Sequence, residues 1–150
     1  MPEVIAISPS QGKTLAIGPT QTTLLATSKD TESRFSLVEH ALSPEFSGPP
    51  PHVHQRYDHA FYILEGEVRI DTAGQIFQAN RGTFLFVPKG VAHTFSNPGK
   101  VWARMLEVDT PGGFEAYFAE LAAVFPEGAP VVSSTVRAIQ QKYDTYPPTS

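Results

Sequence analysis

Short apolar runs, each closed off by proline or glycine, set the limits on what this chain can become. Thr22–Ala26, Arg34–Leu42, His59–Leu64, Glu67–Asp71, Gln75–Gln78, Thr83–Val87, Val91–Phe95 and Val101–Val108 are rich in β-branched and aromatic residues. Several alternate by two: Phe61 and Ile63 stand against Tyr62 and Leu64, and Val68 and Ile70 against Arg69 and Asp71. That period marks strands with one buried face. Gly66 and Ala73-Gly74 fall where hairpins must turn. Eight such runs predict an all-β sandwich or barrel over about residues 14–109.

After Val108 the pattern changes. Phe114, Phe118, Leu121 and Phe125 recur at helical spacing with alanines between them, and Pro126 follows. This predicts a helix with Thr110 as its cap and Pro111 at its first position. A second helix is predicted over Ser134–Tyr143, presenting Val136, Ile139 and Tyr143. The tail, about 111–143, is therefore one or two helices packed outside the β unit, and residues 1–150 form one domain. Fourteen prolines and eleven glycines punctuate the backbone without making it low-complexity.

Charge and cysteine usage narrow the chemistry. Eleven Lys and Arg against fifteen Asp and Glu give a net charge of −4, with no basic run, which argues against nucleic acid or an anionic membrane as partner. No apolar stretch approaches the ~20 residues of a membrane span, and the N-terminal residues lack a basic, then apolar, leader. A cytoplasmic location is expected. With no cysteine, thiolate metal sites and cysteine nucleophiles are excluded.

Four of the five histidines fall in two short segments, Gly48-Pro49-Pro50-Pro51-His52-Val53-His54-Gln55-Arg56-Tyr57-Asp58-His59 and Pro88-Lys89-Gly90-Val91-Ala92-His93. In extended chain, His52 and His54 project from the same face, where two imidazoles can grip one divalent ion. The prolines before them hold the approach extended. His59 is in register with Phe61 and Ile63, which places it on the interior face, while Asp58 points the other way. His40 stands alone in its strand and is read as a packing residue.

These segments resemble the paired motifs of the cupin superfamily. Gly82, Pro88, Gly90, His93 and Asn97 match the second motif at every spacing. The first is matched at His52, His54 and Gly66; Gly48 stands nearer to His52 than in the family, and His59 occupies the position of the family's Glu. The resemblance implies a jelly-roll, double-stranded β-helix barrel enclosing one divalent transition metal ion (Mn, Fe, Ni, Co, Cu or Zn). It assigns His52, His54, His59 and His93 as the ligands. Nitrogen donors disfavour Mg and Ca.

The Pro-Pro-Pro-His-Val-His approach, Phe61-Tyr62-Ile63-Leu64-Glu65-Gly66 and the helix opening Gly112-Gly113-Phe114-Glu115 are similar to small, single-domain, quercetin-dioxygenase-like members. That implies a metal-dependent, dioxygenase-like enzyme acting on a small enol or aromatic substrate. In such enzymes the Glu takes the substrate's hydroxyl proton, a role a metal-bound His59 does not fill. The other class is a non-catalytic cupin that binds a metal or small molecule as a sensor or accessory protein. Phe61, Ile63, Phe84, Phe86, Phe95, Trp102 and Met105 are the candidate substrate-pocket walls. A homodimer is expected, paired through the N-terminal strands at about Thr14–Ala26.

Overall fold

The computed structural model describes residues 3–149. Nine strands and two helices follow in the order β1 (Lys13–Ile17), β2 (Thr20–Ala26), β3 (Ser36–Leu42), β4 (Asp58–Glu65), β5 (Glu67–Thr72), β6 (Gln75–Asn80), β7 (Phe84–Val87), β8 (His93–Ser96), β9 (Ala103–Thr110), α1 (Glu115–Val124) and α2 (Ser133–Gln140). All strand pairs are antiparallel. They make a six-stranded sheet, β1-β2-β3-β9-β4-β7, and a three-stranded sheet, β6-β5-β8. Where the sequence predicts a jelly-roll barrel, the described strands form two sheets that share one apolar core. Their ladders stay separate because β7 and β1 end the large sheet without pairing into the small one.

The period-2 pattern does the sorting. On β3, Ser36, Val38, His40 and Leu42 face inward, and on β9 Ala103, Met105, Glu107 and Asp109 do. β4 contributes His59, Phe61 and Ile63. Register places Asp109 between Ser36 and His59, and Glu107 between Val38 and Phe61. One end of the inner face is therefore apolar, with Leu42, Ala103, Met105, Phe61 and Ile63 packed against Val68, Ile70 and Ala79 of the small sheet. The other end is polar. The alternation that buries a methionine two residues earlier also buries the two carboxylates.

The helices cover that second end. Phe114, Tyr117, Phe118, Leu121 and Phe125 pack with Val136 and Ile139 of α2 and with Ile17 and Val38 of the large sheet. Each such side chain contributes about 1.5–3 kcal/mol when fully buried. The predicted cap at Thr110 is not formed. Thr110 is the last residue of β9 and pairs with Asp58, so the ladder has already engaged it, and the Thr110–Pro111 peptide is cis. α1 instead begins at Glu115 after Phe114, which makes no side-chain cap; the Glu115 carboxylate accepts from the Gly113 and Ser28 amides at 2.9 and 2.6 Å. Among the described residues, no helix is long and apolar enough to cross a membrane.

Candidate metal centre

The proline-stiffened segment before β4 acts as an extra strand. His52 exchanges both backbone hydrogen bonds with His93 at the start of β8 (3.0 and 2.9 Å), and Val53 does the same with Tyr146 (2.8 and 2.9 Å). The two bridges alternate, so His52 and His54 project together toward the interior. Gly48, at φ +86°, lies so close to β8 that a Cβ would run into the Phe95 carbonyl, so a larger residue could not seat the segment here.

Ring nitrogens of His52, His54 and His93 all lie within 4.8 Å of one another, and all three residues are buried. Each ring uses Nδ1 in the same way. His52 donates to the Pro50 carbonyl at 2.9 Å, His93 to the Val91 carbonyl at 2.9 Å, and His54 to the Asp144 carbonyl at 3.1 Å. Thr145 Oγ1, whose own proton goes to the Tyr143 carbonyl, lies 3.2 Å from the same His54 nitrogen. A neutral imidazole that donates from Nδ1 keeps its lone pair on Nε2, the form a metal requires. Burial pushes His52 down to about 3, His54 to about 2 and His93 to about 4. All three are neutral at physiological pH. The Asp144 carboxylate fixes the return of the tail by accepting from the Gln55 and Arg56 amides, the latter at 2.7 Å.

The His59 ring packs against the other imidazoles, but its ligand nitrogen groups within 4.8 Å with carboxylate oxygens of Glu107 and Asp109 and not with the whole His52, His54 and His93 set. Its centroid is 4.2 Å from that of His54 and 5.6 Å from that of His93. Its Nδ1 faces Asp109 Oδ1 in close contact and Glu107 Oε2 at 3.8 Å. Both ring nitrogens, Glu107 Oε2 and Asp109 Oδ1 are buried without an aligned hydrogen-bond partner. Burial would raise Glu107, but the His40 hydrogen bond and charge outweigh it and hold the carboxyl below its usual range. Asp109 is pushed well up by burial and by Glu107's charge, so one of this pair carries the proton. Orphaned buried nitrogens and neutral imidazoles of this kind fit a transition ion.

Glu107 and Asp109 went unnoticed in the sequence although their spacing from Met105 gives them away. His40, read as packing, also faces the cavity. The cavity holds about 290 Å³ and is lined by His52, His54, His59 and His93 together with Phe61 and Phe95. Its remaining walls include Phe114, Tyr117 and Phe118 at and within α1 and Val136 of α2; of these, Phe114, Phe118 and Val136 belong to the apolar stripes expected only to pack against the outside of the β unit. Of the other expected wall residues, Ile63 and Met105 lie in the core between the sheets. Phe84 and Phe86 are 63% and 56% exposed on the edge strand β7, and Trp102 is 49% exposed. None of the three lines the histidine cavity: the strand period that turns Val87 inward turns Phe84 and Phe86 out, where they border a separate hollow with Phe77 and Leu85.

A family model described as a cupin domain matches residues 38–109, the span that holds all four of these histidines and both carboxylates. The chain belongs to the cupin superfamily. It is 32% identical over 111 residues to quercetin 2,3-dioxygenase of Bacillus subtilis (strain 168), a match covering 74% of this chain. The chain spans about a third of that relative's length, 32%. Among solved structures, this cupin is similar to the polyketide cyclase RemF from Streptomyces resistomycificus, with TM-score 0.63 and 26% identity over 72% of this chain and 80% of that one. KdgF from Halomonas sp. shares the fold at TM-score 0.65 and 14% identity, covering 75% and 99% of the two chains.

Proposed function

We propose that this cupin is a metal-dependent, dioxygenase-like enzyme acting on a small enol or aromatic substrate, with His52, His54, His59 and His93 holding one divalent transition ion. The observation that carries the reading is the convergence of three neutral imidazoles, each with Nδ1 spent on a backbone carbonyl, on the wall of an apolar cavity. A bound ion would supply Lewis acidity toward an anionic oxygen and, if redox-active, access to dioxygen. The residues themselves do the positioning. Phe114 packs edge-on against His54 and His59, with centroids 5.0 and 5.2 Å away, and keeps water from the ligand side. Among the described residues no Lys or Arg lines the cavity, so apart from a bound ion a phosphate or carboxylate has no cation to meet there.

The names of the two relatives point the same way. Quercetin carries an enolic hydroxyl, and polyketides are rich in enolisable carbonyls. A cavity of about 290 Å³ lies at the lower end of the range for ligand sites, which favours a compact planar molecule. Oxygen uptake by protein loaded with Fe(II), Mn or Ni, across a panel of enols and β-diketones and against a His93→Ala control, tests the reading. Metal-dependent uptake that the substitution abolishes supports it. Stoichiometric metal with ligand-induced thermal shifts and no turnover supports instead the binding-protein reading, which His59 in place of the family's Glu favours.

A further inference from the structure

Three polar side chains face the same cavity from neighbouring strands and lie outside the four-histidine set: Thr22 on β2, His40 on β3 and Glu107 on β9, the last grouped with His59 and Asp109. They are 1%, 3% and 2% exposed. Thr22 Oγ1 lies 2.8 Å from His40 Nδ1, and His40 Nε2 lies 3.4 Å from Glu107 Oε1. Register produces the line: Thr22 pairs directly with His40, and Glu107 stands one step diagonal to it, two residues beyond Met105. The imidazole is wedged between Phe95, stacked at 5.7 Å, and Phe118, edge-on at 5.0 Å. It cannot swing away from either partner.

The hydrogen-bond directions follow from the groups. In the tautomer that uses both contacts, His40 carries its proton on Nε2 and donates to Glu107. Nδ1 then accepts the Thr22 hydroxyl proton, which leaves the lone pairs of Thr22 Oγ1 for the cavity. The other oxygen of Glu107 faces His59, so this line of groups reaches the metal centre through one shared carboxylate.

We propose that Thr22, His40 and Glu107 form a hydroxyl–imidazole–carboxylate relay that takes the proton from the enolic or phenolic hydroxyl of the bound ligand. The inference rests on the enol reading above. In the step, the ligand's O–H bond breaks and its electron pair stays on the ligand oxygen. The proton passes to Thr22 Oγ1 as the Thr22 proton moves to His40 Nδ1, giving an imidazolium between the Thr22 hydroxyl and the Glu107 carboxyl group. No oxidant or reductant enters. The relay supplies the proton acceptor that is missing where His59 stands in place of the family's Glu.

Spectrophotometric titration of the Zn(II)-loaded protein with quercetin and with benzoylacetone, at a pH where both free ligands are neutral, tests it. Wild-type protein binds them with the absorbance of the enolate. Thr22→Val, which keeps the shape and removes the hydroxyl, binds them with the absorbance of the neutral form, as does His40→Gln. Thr22→Ser restores the enolate band, and turnover of an accepted substrate falls about 100-fold in Thr22→Val. A merely structural Thr22 would change the melting temperature and leave the bound spectrum alone. Enolate bands in Thr22→Val and His40→Gln equal to wild type overturn the relay and leave the enol reading standing. Metal-loaded wild-type protein that binds neither ligand overturns both.

Discussion

The histidines of the candidate centre are anchored in two unlike ways. His52, His54 and His93 lean on backbone carbonyls, whereas His59 leans on the buried carboxylates of Glu107 and Asp109. A carbonyl fixes a tautomer and carries no charge, so these three rings stay neutral and can be replaced without leaving an unpaired ion behind. The carboxylate sector is a coupled set of charges, stable only while every member is present. The first sector offers neutral nitrogens of the kind a transition ion takes. The second ties His59 into the strands of the large sheet.

Acid separates the two most strongly. His52, His54 and His93 sit at about 3, 2 and 4 in the folded protein, against an ordinary 6.5 once unfolded. Lowered folded values mean that the unfolded chain binds protons first. Their contribution is therefore complete above pH 6.5 and is lost as pH falls toward the folded values. At pH 5 each of the three costs about 2 kcal/mol of metal-free stability relative to pH 7, a loss that denaturant melts at the two pH values read directly. Next in size, Glu107→Ala lowers the unfolding free energy by about 3–5 kcal/mol, because it strands His40, His59 and Asp109 together. A loss under 1 kcal/mol in urea unfolding would show that the charged sector is not coupled.

Smaller effects probe the neutral sector. His93→Ala weakens metal binding by more than about 100-fold in competition with a chelator, beyond the range typical of outer partners, yet leaves the metal-free melt close to wild type. Thr145→Val removes one of the two acceptors at His54 Nδ1 and keeps the Asp144 carbonyl, so the affinity falls by about tenfold, the low end of that range. If Thr145→Val matched His93→Ala, the backbone anchor would count for less than the hydroxyl.

Much of this was legible in the sequence, for a physical reason. Alternation by two and Pro/Gly punctuation located the strands from β2 to β9, because one buried face imposes its period on the chain. The two motifs placed the four histidines. What escaped was buried charge: Glu107 and Asp109 continue the inward row of Ala103 and Met105, but carboxylates ordinarily belong outside, so the period was not followed through them. Phe84, Phe86 and Trp102 stand away from the histidine-lined cavity for the converse reason, since aromatic character suggests a pocket and only strand parity says which face receives it. The anchor at His54 could not be read at all. It is a backbone carbonyl 90 residues away, and no side-chain pattern encodes it.

The covering of the polar end by α1 and α2 divides the labour along the chain. Ligands and charged supports come from residues 38–109, while Phe114, Tyr117, Phe118, Leu121 and Val136 come from a segment that the family model leaves unmatched. Substitutions at Phe118, Leu121 or Val136 can reshape the chamber and change which molecule fits without touching any of the four candidate donors, whereas Phe114 packs on His54 and His59. A change of preferred small molecule then needs only a few residues of the two helices, with the imidazole cluster left as it stands.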